Sequence, residues 1–182
     1  DLKAETSRSF DTGLEWKDGK TAWTISWFDQ KVKNLIDYEE IGKNSGKYLY
    51  VNRNRAQLQG LEGEITHKIS SRWTIRDTYT YLDGRDKSAG TRLPNRSRHT
   101  LMAALSYEGE NPYGISGTLW STLQKDYLSD EKNYTWNELN LSLQKHWGKY
   151  TLTLGMYNIL NRKIDALYQD GRAWFAGLEM KW

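Results

Sequence analysis

The sequence of 182 residues has no cysteine. Disulfide frameworks, thiolate metal sites and cysteine nucleophiles are therefore excluded. It has no run near the 18 or so apolar residues that a membrane helix needs, and its polar opening, Asp1-Leu2-Lys3-Ala4-Glu5, is no signal peptide. It lacks an excess of one charge: 26 Lys and Arg face 23 Asp and Glu, a net of +3, too balanced to point to nucleic acid. Proline is scarce at two, and phenylalanine at three. The aromatics are instead 12 Tyr and 9 Trp, which join an apolar ring to a polar handle and suit half-wet places.

What is present is alternation. Phe10, Thr12, Leu14 and Trp16 share one face of an extended segment. Leu101, Ala103, Leu105 and Tyr107 do the same, as do Leu139, Leu141 and Leu143, then Tyr150, Leu152, Leu154 and Met156. Period 2 fits nearly everywhere. No helix of normal length emerges, and a single turn is expected within 158–164. Nine strands are predicted, over 7–17, 21–36, 48–67, 72–82, 97–108, 113–125, 134–147, 149–158 and 172–182. Several exceed ten residues, against the usual five or six. The second changes phase near Trp27-Phe28, which suggests a bulge or a strand projecting above a rim.

Short connections alternate with long ones. Lys17 to Lys20, His67 to Ser71, Gly109 to Pro112 and Trp147 to Lys149 are tight, whereas Glu39 to Lys47, Asp83 to Arg96, Asp126 to Asn133 and Ile159 to Gly171 are longer. In an up-and-down antiparallel sheet this puts all the elaborate loops at one end, as in transmembrane β-barrels. A soluble carrier with its apolar face inward shares the alternation. Two features favour the membrane. Trp or Tyr bounds many apolar rows, among them Trp174, Trp182, Tyr107, Tyr113, Trp147, Tyr150, Trp73, Tyr79 and Tyr81, as interfacial girdles would. The last row also ends on Trp182. Asp77 falls on the expected lipid face, so the phase slips there or the site lies near an interface. Nine is an odd number for a closed barrel, so the chain is expected to be part of a longer polypeptide.

Several segments resemble the TonB-dependent outer-membrane receptors. They are Leu2-Lys3-Ala4-Glu5-Thr6-Ser7, with Ala4 where proline is usual; Asn52 to Ala56 followed by Gly60-Leu61-Glu62; and Leu93-Pro94-Asn95-Arg96-Ser97-Arg98-His99, with Ser97 in place of a second proline. The last is a C-terminal box comprising Asn158, Asn161, Tyr168, Gly171, Arg172 and Trp182. The matches follow the family order. The resemblance implies an all-β fold, an antiparallel up-and-down transmembrane β-barrel segment of about nine strands from a 22-stranded barrel. Residues 1–182 would form the C-terminal part, with the plug domain and the TonB-contacting motif lying elsewhere. It implies the outer membrane of a Gram-negative-type bacterium and uptake of a scarce nutrient, foremost a ferric siderophore, with haem and cobalamin as further cargoes. The partners implied are outer-membrane lipid, the rest of the barrel, the plug and, through it, the TonB complex. The residues themselves leave open a soluble all-β ligand carrier and a structural or adhesive barrel.

No nucleophile elbow, P-loop or dinucleotide fingerprint occurs, and no catalysis is expected. His67, His99 and His146 lie on separate strands without ligand spacing, so no metal or cofactor is expected; His99 lies nearest the long-loop end. Glu62 and Glu64 share a strand face and fit a polar lumen lining. Arg85, Lys87, Arg92, Arg96 and Arg98 gather around one long loop, where they could attract anionic cargo or meet lipopolysaccharide phosphates, though acids are interspersed. Tyr48, Tyr127, Tyr134, Trp136 and Tyr168 could stack on a flat cargo. The expected cargo contacts are therefore Tyr48, Arg85, Arg92, Arg96, Tyr127, Tyr134, Trp136 and Tyr168.

Overall fold

A computed structural model describes residues 1–42, 45–110 and 114–181, leaving aside the side chains of Arg53 and Asn54. Trp182, and Tyr113 at the start of the strand expected over 113–125, lie outside the described residues. Alternation yields nine long strands and one short one: β1 (Thr6–Lys17), β2 (Thr21–Glu40), β3 (Tyr48–Lys68), β4 (Trp73–Asp86), β5 (Thr91–Arg92), β6 (His99–Tyr107), β7 (Ile115–Ser129), β8 (Lys132–Trp147), β9 (Tyr150–Tyr157) and β10 (Ala173–Met180). They form one antiparallel sheet in chain order, with β5 paired to β4 as a side branch. Among the described residues β1 pairs only with β2 and β10 only with β9, so the sheet is open at both edges.

Partners across an antiparallel pair share a face, so the register fixes both faces. One row of neighbours runs through Leu14, Ile25, Gly63, Tyr79, Leu101, Leu123 and Asn137, another through Ile75, Leu105, Leu119, Leu141 and Met156. This side is apolar and uncovered: Leu143 is 42% exposed, Leu154 48% and Leu178 67%. A carrier with a buried apolar interior would hide these side chains. The opposite side carries Thr24, Ser26, Glu62, Glu64, Thr78, Thr80, Thr100, Gln124 and Asn140. Its polar groups satisfy one another: the Arg76 guanidinium lies 3.5 Å from Glu64, Thr100 donates to Gln124 at 3.0 Å, and Ser106 and Thr118 lie 3.0 Å apart.

Two aromatic side chains on the polar side sit over glycines. A Cβ on Gly60 would come within 2.8 Å of the Phe28 ring, and one on Gly155 within 2.1 Å of the Phe175 ring. Each ring occupies the space that the missing side chain leaves. Phe28 therefore needs no bulge, and β2 keeps register with both neighbours through Trp27 and Phe28. The alternative expectation, a strand running on beyond the apolar band, is what the structure shows. Asp77 likewise keeps phase. It pairs with Ile65 and Ala103 on the apolar side, half-buried and midway between Trp73 and Tyr81.

The expected loop from Asp126 to Asn133 is mostly strand. After a register shift between Gln124 and Tyr127, β7 continues to Ser129, and Asp130-Glu131 turn the chain with φ of 47° and 64°. Two successive left-handed residues form the tight hairpin turn that matches strand twist, so short and long connections do not strictly alternate. Within 158–164 the chain makes a single hydrogen-bonded turn, with Asn161 N–H donating to the Asn158 carbonyl at 2.8 Å, and a 3-10 turn follows at Asp165–Leu167.

Candidate functional site

Near the long-loop end the two faces exchange character. On the apolar side, Trp23, Ile25 and Trp27 of β2 give way to Asp29, Lys31 and Lys33; Ile65 and Leu61 of β3 to Gln59, Gln57 and Arg55; Tyr79 and Tyr81 of β4 to Asp83 and Arg85. On the other side Phe28, Val32, Ala56, Leu58, Leu82 and Gly84 replace the polar row. Val32, Leu35, Ala56 and Leu93 bury there as a small core, with Leu58 packed against it. Asn34 has a φ of 57°; this left-handed kink lets Leu35 join Val32 in one cluster although three positions separate them.

Next to that core lies an aromatic mouth. The bulge in β7 keeps Tyr127 beside Trp136, with rings 5.5 Å apart and edge to face. Gln124, Tyr127, Tyr134 and Trp136 all follow the polar-side register. The hairpin joining β2 and β3 contributes Tyr38 and Tyr48, whose rings meet edge to face at 5.6 Å. Asn95 Nδ2 donates to the Tyr38 hydroxyl at 2.6 Å. The nearby Glu40 carboxylate pushes the Tyr48 phenol up, with burial and the fields of Tyr168 and Asp130 acting the same way. Burial also raises the Tyr127 phenol, and Tyr38 adds to it. Both rings thus stay neutral donors at ordinary pH. Arg96 packs toward Gly84 on this side and donates to Pro94 O at 2.7 Å.

The expected cargo contacts divide. Tyr48, Arg96, Tyr127, Tyr134, Trp136 and Tyr168 belong to strand tips and loops at the mouth; Tyr168 is 94% exposed. Arg85 and Arg92 pair with each other on the far side, the side of the apolar band. Arg85 Nε donates to Asp83 at 2.9 Å, and Arg92 donates to Asn133 Oδ1 and to Asp126 O. Burial, reinforced by Arg98, pulls the Arg92 guanidinium below its ordinary value. Position in the loop did not reveal this division, because both sides contribute arginines to one sequence stretch.

The C-terminal box fastens the last loop. Asn158 is 3% exposed, with φ 50°. Its N–H donates to Asn140 Oδ1 at 2.8 Å, and its Nδ2 donates to the carbonyls of Arg162 and Asp170. Arg162 N–H returns a bond to Asn158 Oδ1. Arg172 caps the Ile159 carbonyl and donates its N–H to Asn161 Oδ1. A Cβ on Gly171 would meet Asn161 Oδ1 at 2.6 Å. Asn158, Asn161, Gly171 and Arg172 thus shape this loop; Trp182 of the box lies outside the described residues. Sequence reasoning missed three partners: Asn140, Tyr38 and the Glu138–Gln169 bond. In the sequence Asn140 is one of two amides, with Gln144, in the polar row of β8.

Each histidine meets a hydroxyl: His67 that of Thr21, His99 that of Tyr79, and His146 that of Thr151. Among the described residues no group of His, Asp and Glu could hold a metal ion.

A family profile described as TonB dependent receptor-like, beta-barrel, matches residues 1–159. The ferrienterobactin receptor of Escherichia coli is 28% identical over 97% of this chain and 25% of its own length. The vitamin B12 transporter BtuB of Photobacterium profundum is 27% identical over 60% of the chain and 18% of its own length. Among solved structures, the copper transporter OprC superposes with a TM-score of 0.79 at 15% identity, over 100% of this chain and 32% of its own. A ferric enterobactin receptor from Pseudomonas aeruginosa superposes with a TM-score of 0.75 at 22% identity, over 98% and 31%. The chain thus spans about a quarter or less of the curated relatives and a third of the solved ones.

Proposed function

The chain belongs to the β-barrel family of TonB-dependent receptors, and from that premise we propose that it is the C-terminal wall of a 22-stranded outer-membrane transporter for a ferric siderophore. The observation that carries this reading is the exchange of faces. A band that is apolar on one side and polar on the other fits a wall between hydrocarbon and a wet lumen. Above it, the side that met lipid turns charged, as a wall leaving the bilayer must. Trp16 with Trp23, Trp73 with Tyr107, and Trp147 with Tyr150 form ring pairs near the short-turn end and mark the inner interface.

The rest of the barrel closes the sheet, a plug fills the lumen, and the TonB complex acts on the plug. This segment contributes wall and mouth. Cargo settles on Tyr127, Tyr134 and Trp136, whose faces suit catecholate rings, while Arg96 supplies positive charge for an anionic iron chelate. Tyr48 and Tyr168 reach it from the neighbouring loops. Uptake is capture at the mouth followed by plug displacement, with no covalent chemistry by these residues.

The test is cargo binding by the full-length receptor, followed by quenching of tryptophan fluorescence. A ferric catecholate siderophore is expected to bind, and Tyr127→Ala with Trp136→Ala to weaken it about tenfold through lost stacking. Binding of haem or cobalamin in its place overturns the cargo, as the likeness to BtuB would then foreshadow. A receptor that stays soluble without detergent overturns the membrane reading itself.

A further inference from the structure

An acid stands in the middle of the apolar side. Asp77 is half-buried on the uncovered face of β4, four residues from Trp73 at one margin of the band and four from Tyr81 at the other. At about 3.3 Å per residue on a strand tilted by roughly 40°, each margin is roughly 10 Å away. Its cross-strand partners are Ile65 and Ala103, and its chain neighbour Arg76 turns to the other side, where it meets Glu64 at 3.5 Å. Among the described residues the Asp77 carboxyl has no hydrogen bond and no ion pair. An ionisable group at such depth is costly to keep, and walls that keep one use it.

The surface around Asp77 is cut to admit a second group. Its cross-strand row continues through Ala103 to Ser121. The rows on either side are tall: Tyr79, Leu101 and Leu123 toward the mouth, Ile75, Leu105 and Leu119 toward the short turns. The small side chains between them leave a trough about two strand spacings, or roughly 10 Å, long. A carboxyl lies at one end and a hydroxyl at the other. Gly63 opens a further recess beside Asp77, walled by Ile25, Ile65, Tyr79 and Leu101. A lysine or arginine fits this shape, its apolar stem over Ala103 and its head on the carboxyl. Depth selects the bearer of that cation. Phospholipid ammonium groups ride in the headgroups, about 15 Å from the midplane, and free cations stay in water. A protein segment that itself spans the bilayer can fix a cation so deep.

We propose that Asp77, Ala103 and Ser121 form a docking site on the outer wall for a membrane-spanning partner protein that presents a lysine or arginine at mid-bilayer depth. The partner's cation donates to the Asp77 carboxyl, its stem fills the trough, and Ser121 supplies a second acceptor. The site rests on the reading that the apolar side faces lipid. It is separate from the cargo mouth, because Tyr127 and Trp136 follow the register of the opposite side.

The experiment uses the full-length receptor folded into vesicles, with insertion checked by protection from protease. The probe is a synthetic leucine-alanine helix of about 20 residues with one central lysine and a fluorophore that accepts tryptophan emission; the reference helix carries leucine in place of the lysine. Energy transfer from the receptor is read against the ratio of helix to lipid. The lysine helix is expected to associate about tenfold more strongly than the reference, the worth of one hydrogen bond to a charged group. Asp77→Asn keeps the size of the side chain and removes the preference. Ala103→Leu fills the trough and removes it too, although the carboxyl remains and the added surface is apolar. Ser121→Val lowers it about twofold. Leu154→Ala, on β9, leaves it unchanged. Equal association of the two helices with inserted wild type overturns the site while leaving the membrane reading intact, and so does a preference that survives Asp77→Asn. Receptor self-association that needs Asp77 and excludes the lysine helix shows a second copy as the occupant and overturns the cationic partner. A receptor that does not insert overturns both readings.

Discussion

Along β2, Trp23, Ile25 and Trp27 point to the side that Lys31 and Lys33 occupy a few residues later, and Ser26 shares its side with Val32. The backbone pairing is continuous through this change. A single sheet thus contains two regions with opposite rules: a band with apolar residues on the uncovered side and polar residues opposite, and a crown with charges outside and a small core within. The difference teaches that alternation records strand geometry alone, whereas which phase is apolar records the medium on each side. A strand that passes from hydrocarbon to water must invert its pattern, and Trp27-Phe28 is where β2 does so.

The sharpest way to break this comparison is a charge in the band. Leu119→Arg, on the uncovered side of β7 between Leu105 and Leu141, should cost about 2–4 kcal/mol of stability in vesicles, measured by reversible denaturant unfolding of the full receptor. Gln57→Arg, on the same face but in the crown, should change it by less than about 0.5 kcal/mol. Equal costs would mean that the two regions share one environment. Within the crown, Leu93→Ala removes a side chain that is 2% exposed and should cost about 2 kcal/mol. That loss should show as faster hydrogen exchange confined to the tips of β2–β5. An effect spread through the band would show that crown and band unfold as one.

The smallest effect concerns the opposite end, where Asp18 accepts from the N–H groups of Thr21 and Lys20 at 2.6 and 2.7 Å. These bonds hold its carboxyl below the usual carboxylate range. A folded value below the unfolded one stabilises the turn above the ordinary carboxylate pKa, and the stabilisation fades as pH falls through the lowered value. Amide exchange at Lys20 and Thr21 should therefore accelerate in acid, and Asp18→Asn should flatten that response. A turn equally protected at all pH values would rule this out.

Most of the fold was legible because period 2 is read directly from side-chain order: strands β1, β3, β6 and β9 lie within two residues of their expected limits. The crown was harder. Its strands carry polar residues outward and turn-forming ones throughout, so Asp126 to Asn133 read as a loop although β7 and β8 stay paired to Ser129 and Lys132. No glycine marks the turn at Asp130-Glu131. The mouth was legible as a set of rim aromatics. What sequence could not show is the side on which each arginine stands, because Arg92 and Arg96 are separated by a turn that carries one outward and the other toward Gly84.

The open margins at β1 and β10 set a condition on how this wall enters a bilayer. Each leaves a ladder of amide and carbonyl groups that water can solvate and hydrocarbon cannot. Burying the band without neighbours would strand those groups, so the outermost strands must find hydrogen-bonding mates before or during insertion. A wall of this kind in hydrocarbon would therefore need a paired strand at each margin, and margins left unpaired would invite edge-to-edge aggregation.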